Sequence, residues 1–422
     1  MRVTTAFNRM LQIPGATVAS VEFAPTGIQV GLRLRARRLR CPCGWSTRAT
    51  YDRSVRKWRH LDLGACRLFL TTQIRRLHCR SCQRVVTEDV PWARPAARCT
   101  RDLEDVIAWM AQRVDKTTVS TLLRVSWETV AAVVVRVVAE HIDETRLDDL
   151  YRIGVDEVSF RKGHRYLTVV ADHDRAGAVV WAGEGRDAAT LAQFYEALGP
   201  ARCDKLEAVS LDMGTAYAKA TRVKAPNAVQ CVDPFHVVKL ANEAIDTTRR
   251  WAWNQARGGQ RVADAHGRGR EVKGTESQRL KHTRWALLKD PARLKDSQRE
   301  TLHRLRAERH VLWRAYELKE ELRDLYRLKD AQRADAHLDA WLARACRSRI
   351  PAILKLSRTI RRNREAIIAA VDLGLSNSKL EGLNSKTRLI NHRGYGHHTA
   401  AALIAMIYLC SGGITIKLPT QT

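Results

Sequence analysis

The chain has 422 residues, 45% of them apolar, and carries 73 Lys and Arg against 45 Asp and Glu, for a net charge of +28. That length allows two or three domains with real cores, and the apolar share excludes a disordered basic tail. No run of about 18 uncharged apolar residues occurs and the first ten residues lack the apolar core of a secretory signal, so neither membrane nor secretion is expected.

Ten cysteines in so long a chain are not a secreted disulfide framework, and a cytoplasmic protein is the expectation. The charge is uneven: residues 1–100 hold 19 Lys and Arg against 5 Asp and Glu, half of the net charge. Such a basic field draws polyphosphate with salt-sensitive affinity, and double-stranded DNA is the expected partner.

In chain order, residues 17–37 alternate apolar and polar about a turn at Pro25-Thr-Gly27. This predicts a hairpin whose second strand carries Arg33, Arg35 and Arg37 on one face. Two cysteine pairs follow, Cys41-Pro-Cys43 and Cys79-Arg-Ser-Cys82, with a strand over 68–77 between them. Paired thiolates that meet when the chain folds back suit a tetrahedral zinc site. The first pair is one residue shorter than a usual knuckle, which leaves Cys66 or His78 as alternatives to Cys41. Arg80 and Arg84 beside the second pair, with the arginines of 33–40, give this module a DNA grip.

Residues 101–141 read as three helices, the third capped by Ser126. A helix-turn-helix is expected, with Arg136 the one base-reading cation on a valine-rich third helix. Either its polar start at Ser126–Thr129 reads bases, or the unit packs and dimerises.

From 151 the order strand–strand–strand–helix–strand–helix–strand predicts a mixed α/β layer. Residues 235–370 are helical and charged, with a basic glycine-containing stretch at 257–270 read as a mobile loop. Asp156 and Asp212 each follow apolar residues into a strand, where an unpaired carboxylate is costly without a cation. Glu381 lies in a later polar segment that becomes helical. Three such hard oxygen ligands suit a pair of magnesium (or manganese) ions in phosphoryl transfer. His236 and Lys239, one turn apart, are expected to support this site or contact phosphate, with an ordinary helix surface as the alternative. Lys386, Arg388 and Arg393 are placed to grip the DNA backbone.

Four segments carry a resemblance: Ile153-Gly-Val-Asp-Glu, Leu211-Asp-Met-Gly-Thr-Ala-Tyr, Val232-Asp-Pro-Phe-His-Val-Val-Lys and Ser378-Lys-Leu-Glu-Gly-Leu-Asn-Ser-Lys. In this order they resemble the ISL-three family of bacterial insertion-sequence transposases. The resemblance implies a multidomain α+β chain: an N-terminal zinc ribbon, a helix-turn-helix, and a ribonuclease-H-like α/β catalytic domain with a long all-helical insertion. The corresponding division is 1–98, 99–145, 150–238, 239–370 and 371–415. By the same resemblance Asp156, Asp212 and Glu381 form a DDE triad that cleaves insertion-sequence ends and joins the 3′-hydroxyls to target DNA. A homo-oligomer on paired ends, associated with the nucleoid, is implied as well. A zinc-ribbon DNA-binding regulator explains the first third but not the strand-borne acids, and a nuclease without joining uses the same acids.

Overall fold

The computed structural model describes residues 1–421 except 162, 164, 259, 260, 264–268, 272–275, 377, 395, 396 and 398, with the backbone alone at 258, 261–263, 269–271 and 378–381. The chain divides into two compact units, residues 1–146 with 387–422, and residues 147–386.

The first unit opens with α1 (Val3–Leu11) and β1 (Ala16–Ala24), β2 (Gly27–Leu34), β3 (Leu39–Arg40), β4 (Ser46–Thr47), β5 (Asp52–Leu63), β6 (Cys66–His78) and β7 (Val85–Thr87). The expected hairpin is β1–β2, but β2 stops at Leu34. Arg33 therefore lies on a strand while Arg35 and Arg37 are exposed beyond it, which corrects the shared face expected for the three. The sheet runs β1-β2-β6-β5, with β2 parallel to β6. Its inner face buries Val18, Val30, Leu32, Trp58, Leu70 and Ile74 against Phe7 of α1 and Trp92. β5 was not legible because only Trp58 and His60 of its twelve residues are buried.

Three helices follow, α2 (Arg101–Ala111), α3 (Lys116–Leu123) and α4 (Trp127–His141). Thr100, Asp115 and Ser126 each cap one, their side chains accepting the N–H three residues on. The valines of α4 are accounted for by burial: Val130, Val133, Val134, Val137 and Val138 are inside. α4 packs on α2 and on the helix Ala400–Ser411 of the same unit.

The second unit begins with β8 (Arg152–Arg161), β9 (Arg165–Asp172), β10 (Ala178–Glu184), α5 (Ala188–Leu198), α6 (Pro200–Cys203), β11 (Ala208–Leu211), α7 (Thr215–Lys224) and β12 (Val229–Val232). The expected order is present, with short α6 added. The sheet order is β10-β9-β8-β11-β12. β8, β9 and β10 pair antiparallel, and β8, β11 and β12 pair parallel. α5 and α7 cover one face through Leu191, Phe194, Tyr195 and Tyr217. Ala370 and Leu375 pack with Ala208 and Cys231 in a smaller cluster.

α8 (Pro234–Gly258) then leaves β12 and runs unbroken through residue 239, so the expected start of the insertion falls inside a helix. Helices from α8 to Arg364–Asp372 share one core, including Val237, Ile245, Leu312, Leu338, Trp341, Ile353 and Ile367. Of the basic glycine stretch only two short paired strands are described, Arg261–Ala263 and Gly269–Glu271; the rest of that expected loop lies outside the described residues.

Candidate functional site

Strand register brings the first two acids together. β8 and β11 pair Ile153 with Val209 and Gly154 with Ser210. Two residues further along each chain stand Asp156 and Asp212. β11 and β12 pair Leu211 with Val232, so one step further Asp212 is level with Asp233. Asp212 and Asp233 thus follow the last residues of β11 and β12, and Asp156, midway along the longer β8, is level with them; the ends toward which parallel strands run are the usual place for a ligand in an α/β sheet.

Asp156 is half-buried. Its Oδ1 accepts the Glu157 N–H at 2.7 Å and its Oδ2 accepts the Asn384 side-chain N–H at 2.5 Å. Burial raises its pKa above the ordinary carboxylate value, and the charge of Asp233 adds to the rise; the Glu157 N–H, His236 and Asn384 oppose it. Glu157 is raised too, by burial first and then by the charges of Asp212 and Asp156, with Arg186 and His236 opposing. Asp212 Oδ1 accepts the Gly214 N–H at 2.8 Å. A Cβ on Gly214 would stand 2.7 Å from that oxygen, so a side chain here would displace the Asp212 carboxylate.

Asp233 is 1% exposed and caps α8 by accepting the Phe235 N–H at 3.3 Å. His236 Nε2 stands 3.9 Å from its Oδ2. His236 therefore sits beside Asp233, whereas Lys239 is exposed in a groove along α8 with Phe235, Asn242, Asp246 and Arg250.

The side chain of Glu381 lies outside the described residues. Its backbone belongs to the helix Ser378–Arg393, three residues before Asn384. Lys386 and Arg388 of that helix are exposed, while Arg393 is half-buried and donates to the Arg113 carbonyl at 3.4 Å.

Oxygen ligands, partial burial and mutual repulsion are what a divalent cation would relieve. Among the described residues, only Cys41, Cys43, Cys79 and Cys82 bring three or more ligand atoms within 4.8 Å of one another.

Those thiols meet because two turns close alike. The Cys41 N–H bonds the Trp45 carbonyl at 2.8 Å, and the Cys79 N–H bonds the Arg84 carbonyl at 2.9 Å. Gly44, at φ +93°, lets the shorter pair turn. Sγ atoms of Cys41 and Cys82 are 3.6 Å apart, and those of Cys43 and Cys79 3.5 Å. The Trp45 backbone, then the Cys41 and Cys79 thiols, lower the Cys43 thiol to about 6. At Cys41 the Cys43 backbone favours the thiolate, but burial and the three neighbouring thiols push it to about 12. Cys66 and His78 are exposed and outside this group. Arg80 and Arg84 are exposed beside it.

Arg136 is engaged inside its own unit. Its guanidinium holds Glu104 Oε1 through Nε at 3.0 Å and Nη2 at 2.6 Å, and Glu104 is fully buried. Arg94, 5% exposed, contacts the same carboxylate at 3.3 Å.

A family profile described as "Transposase" matches residues 153–407, and one described as "Helix-turn-helix domain of transposase family ISL3" matches residues 88–138. The chain belongs to the ISL3 family of transposases. It is 40% identical over 440 residues, 99% of this chain and 98% of the relative, to the "Transposase for insertion sequence element IS1557" of Mycobacterium tuberculosis. It is 28% identical over 356 residues, 84% of each chain, to the "Transposase for insertion sequence element IS1001" of Bordetella parapertussis. The ISL3 helix-turn-helix match contains α2, α3 and nearly all of α4, and such a domain in a transposase implies DNA as partner.

Glu157, Asp233 and Asn384 join the site although none stood out in the sequence. Each lies within a segment carrying the family resemblance, and strand ends and helical spacing were the signals available.

Proposed function

We propose that this chain cleaves insertion-sequence ends and joins the freed 3′-hydroxyls to target DNA, using Asp156, Asp212 and Glu381 in a ribonuclease-H-like domain. One observation carries the reading: Asp156 and Asp212 stand in register on adjacent parallel strands, and Asn384 ties the helix of Glu381 to Asp156. Glu381 precedes Asn384 by three residues in that helix. The strand order, three antiparallel then two parallel with helices between, supports the fold assignment.

Magnesium or manganese held by these three carboxylates would supply the Lewis acidity that makes water, and later a 3′-hydroxyl, nucleophilic at phosphorus. Asn384 and the Glu157 N–H fix the two oxygens of Asp156, so its lone pairs are aimed before substrate arrives. His236 offsets negative charge between Asp156 and Asp233. In the first displacement a water oxygen bonds to phosphorus as the 3′-oxygen leaves and takes a proton. In the second, that 3′-oxygen bonds to a target phosphorus and displaces the target's 3′-oxygen. No protein nucleophile is consumed.

Zinc on Cys41, Cys43, Cys79 and Cys82 would brace the basic module, while Arg33, Arg35, Arg37, Arg80, Arg84, Lys386 and Arg388 contact DNA phosphates. Paired ends call for a homo-oligomer at the nucleoid. The nuclease alternative keeps the same acids. Incubation of a labelled, uncut element end with plasmid separates the two: covalent joining supports the transposase, and cleavage without joining supports the nuclease.

A further inference from the structure

The outer face of the N-terminal sheet is a second basic surface, apart from the four-cysteine turns and the helix-turn-helix. Alternation places the core residues of β2, β5 and β6 inward and their neighbours outward. Register sets Lys57 opposite Thr71, Val55 opposite Gln73 and Arg53 opposite Arg75. Lys57 Nζ lies 4.1 Å from the Phe69 ring centroid, so both are on that face. The pairing of β2 with β6 ends at Gly31 and Thr71, and past it an open groove is lined by Arg33, Arg53, Gln73 and Arg75.

Charge separates two kinds of arginine here. Arg75 is held by Glu88 at 2.7 Å, and Arg59 pairs with Asp62. Arg33, Arg53, Lys57 and Arg67 are exposed and make no ion pair among the described residues; Glu22 on β1 shares this face by register, while Glu88 and Asp62 are taken by Arg75 and Arg59. Four unneutralised cations interleaved with Thr71 and Gln73 suit phosphate oxygens along a backbone.

The face is also locked to the helix-turn-helix. The Arg59 N–H bonds the Arg98 carbonyl and the Thr100 N–H bonds the Arg59 carbonyl, both at 2.9 Å. His60 Nδ1 meets the hydroxyl of Thr100, the α2 cap, at 2.8 Å. Arg124, ending α3, donates to the Ala65 carbonyl at 2.9 Å and pairs with Asp62.

The geometry points to the outer face of β2, β6 and β5, through Arg33, Arg53, Lys57 and Arg67, as a duplex-DNA backbone clamp held in fixed register with the helix-turn-helix. It rests on the DNA-binding part of the proposed function and not on the acid cluster.

The test is fluorescence anisotropy of the full chain on random-sequence duplex DNA, without divalent cations, between about 50 and 200 mM salt. Arg53→Gln, Lys57→Gln and Arg67→Gln are combined, with far-ultraviolet dichroism and melting temperature matched to the parent. The plot of log affinity against log salt should lose about 0.9 of slope for each phosphate contact removed. A second variant, Arg53→Lys with Arg67→Lys, should keep the parental slope. A folded triple variant with parental affinity and slope overturns the clamp. Weakened heparin binding with an unchanged DNA slope overturns it too, assigning the face to another polyanion. A parent that fails to bind duplex DNA sinks the DNA-binding reading itself.

Discussion

Asn384 donates its side-chain N–H to Asp156 Oδ2 at 2.5 Å across 228 residues of sequence. The bond joins the central strand of the α/β sheet to the helix that bears Glu381. It is the link by which two distant segments form one site.

Removing that link should weaken the metal-supported reaction without unfolding the sheet. Asn384→Ala is expected to cost about 10- to 100-fold in cleavage, in the range for groups that orient a ligand. The cost should appear as a higher magnesium concentration for half-maximal cleavage, measured by titration with a labelled element end. An unchanged titration would remove Asn384 from its positioning role.

The raised pKa of Asp156 has a consequence for stability. Between the ordinary carboxylate value and the raised folded one, the folded state keeps a proton that the unfolded chain has lost. Metal-free stability therefore falls as pH rises through that window, and the loss persists at pH 7. Asp156→Asn keeps an acceptor for the Glu157 N–H and carries no charge. It should raise the metal-free melting temperature at pH 7 while abolishing any stabilisation by added magnesium. Calorimetry in EDTA and in magnesium checks both, and a less stable metal-free variant would contradict the account.

Zinc content follows from the four thiols. The purified chain should hold one zinc, and Cys41→Ser or Cys82→Ser should each strip most of it and lower the melting temperature of the N-terminal unit. Cys66→Ser and His78→Ala should leave the content at the parental value. Atomic absorption distinguishes the sets, and equal loss from Cys66→Ser would redraw the site.

Arg136→Ala should act on stability and not on sequence choice. Glu104 would keep only the longer contact to Arg94, a loss on the order of 1–3 kcal/mol for a buried group short of a partner. Urea unfolding should show that loss, and the ratio of specific to random DNA affinity should stay put. A relaxed ratio in a stable variant would restore Arg136 as a base reader.

Much of the second unit could be read from sequence because its strands are buried on both faces and written as apolar runs, as in Val169, Val170 and Ala171. Asp156 and Asp212 stood out because each ends or interrupts such a run. Asp233 was hidden at a helix cap, where an aspartate has an ordinary explanation. Asn384 is one polar residue among many on a polar helix, and only its partner reveals it. Strand β5 was obscured because its inward positions Ser54 and Arg56 are polar while Val55 faces outward, which breaks the apolar alternation. Arg136 drew notice as the one cation on a valine helix, and its ion pair with Glu104 was hidden because the partner lies on another helix.

Carboxylates from three segments acting on one phosphodiester would be seen in the joining of a labelled element end to plasmid DNA in magnesium. The account predicts joined product with the parent chain and about 1000-fold less or none with Asp156→Ala, Asp212→Ala or Glu381→Ala, each still binding the end with parental affinity. Parental joining by any one of these three variants would contradict it.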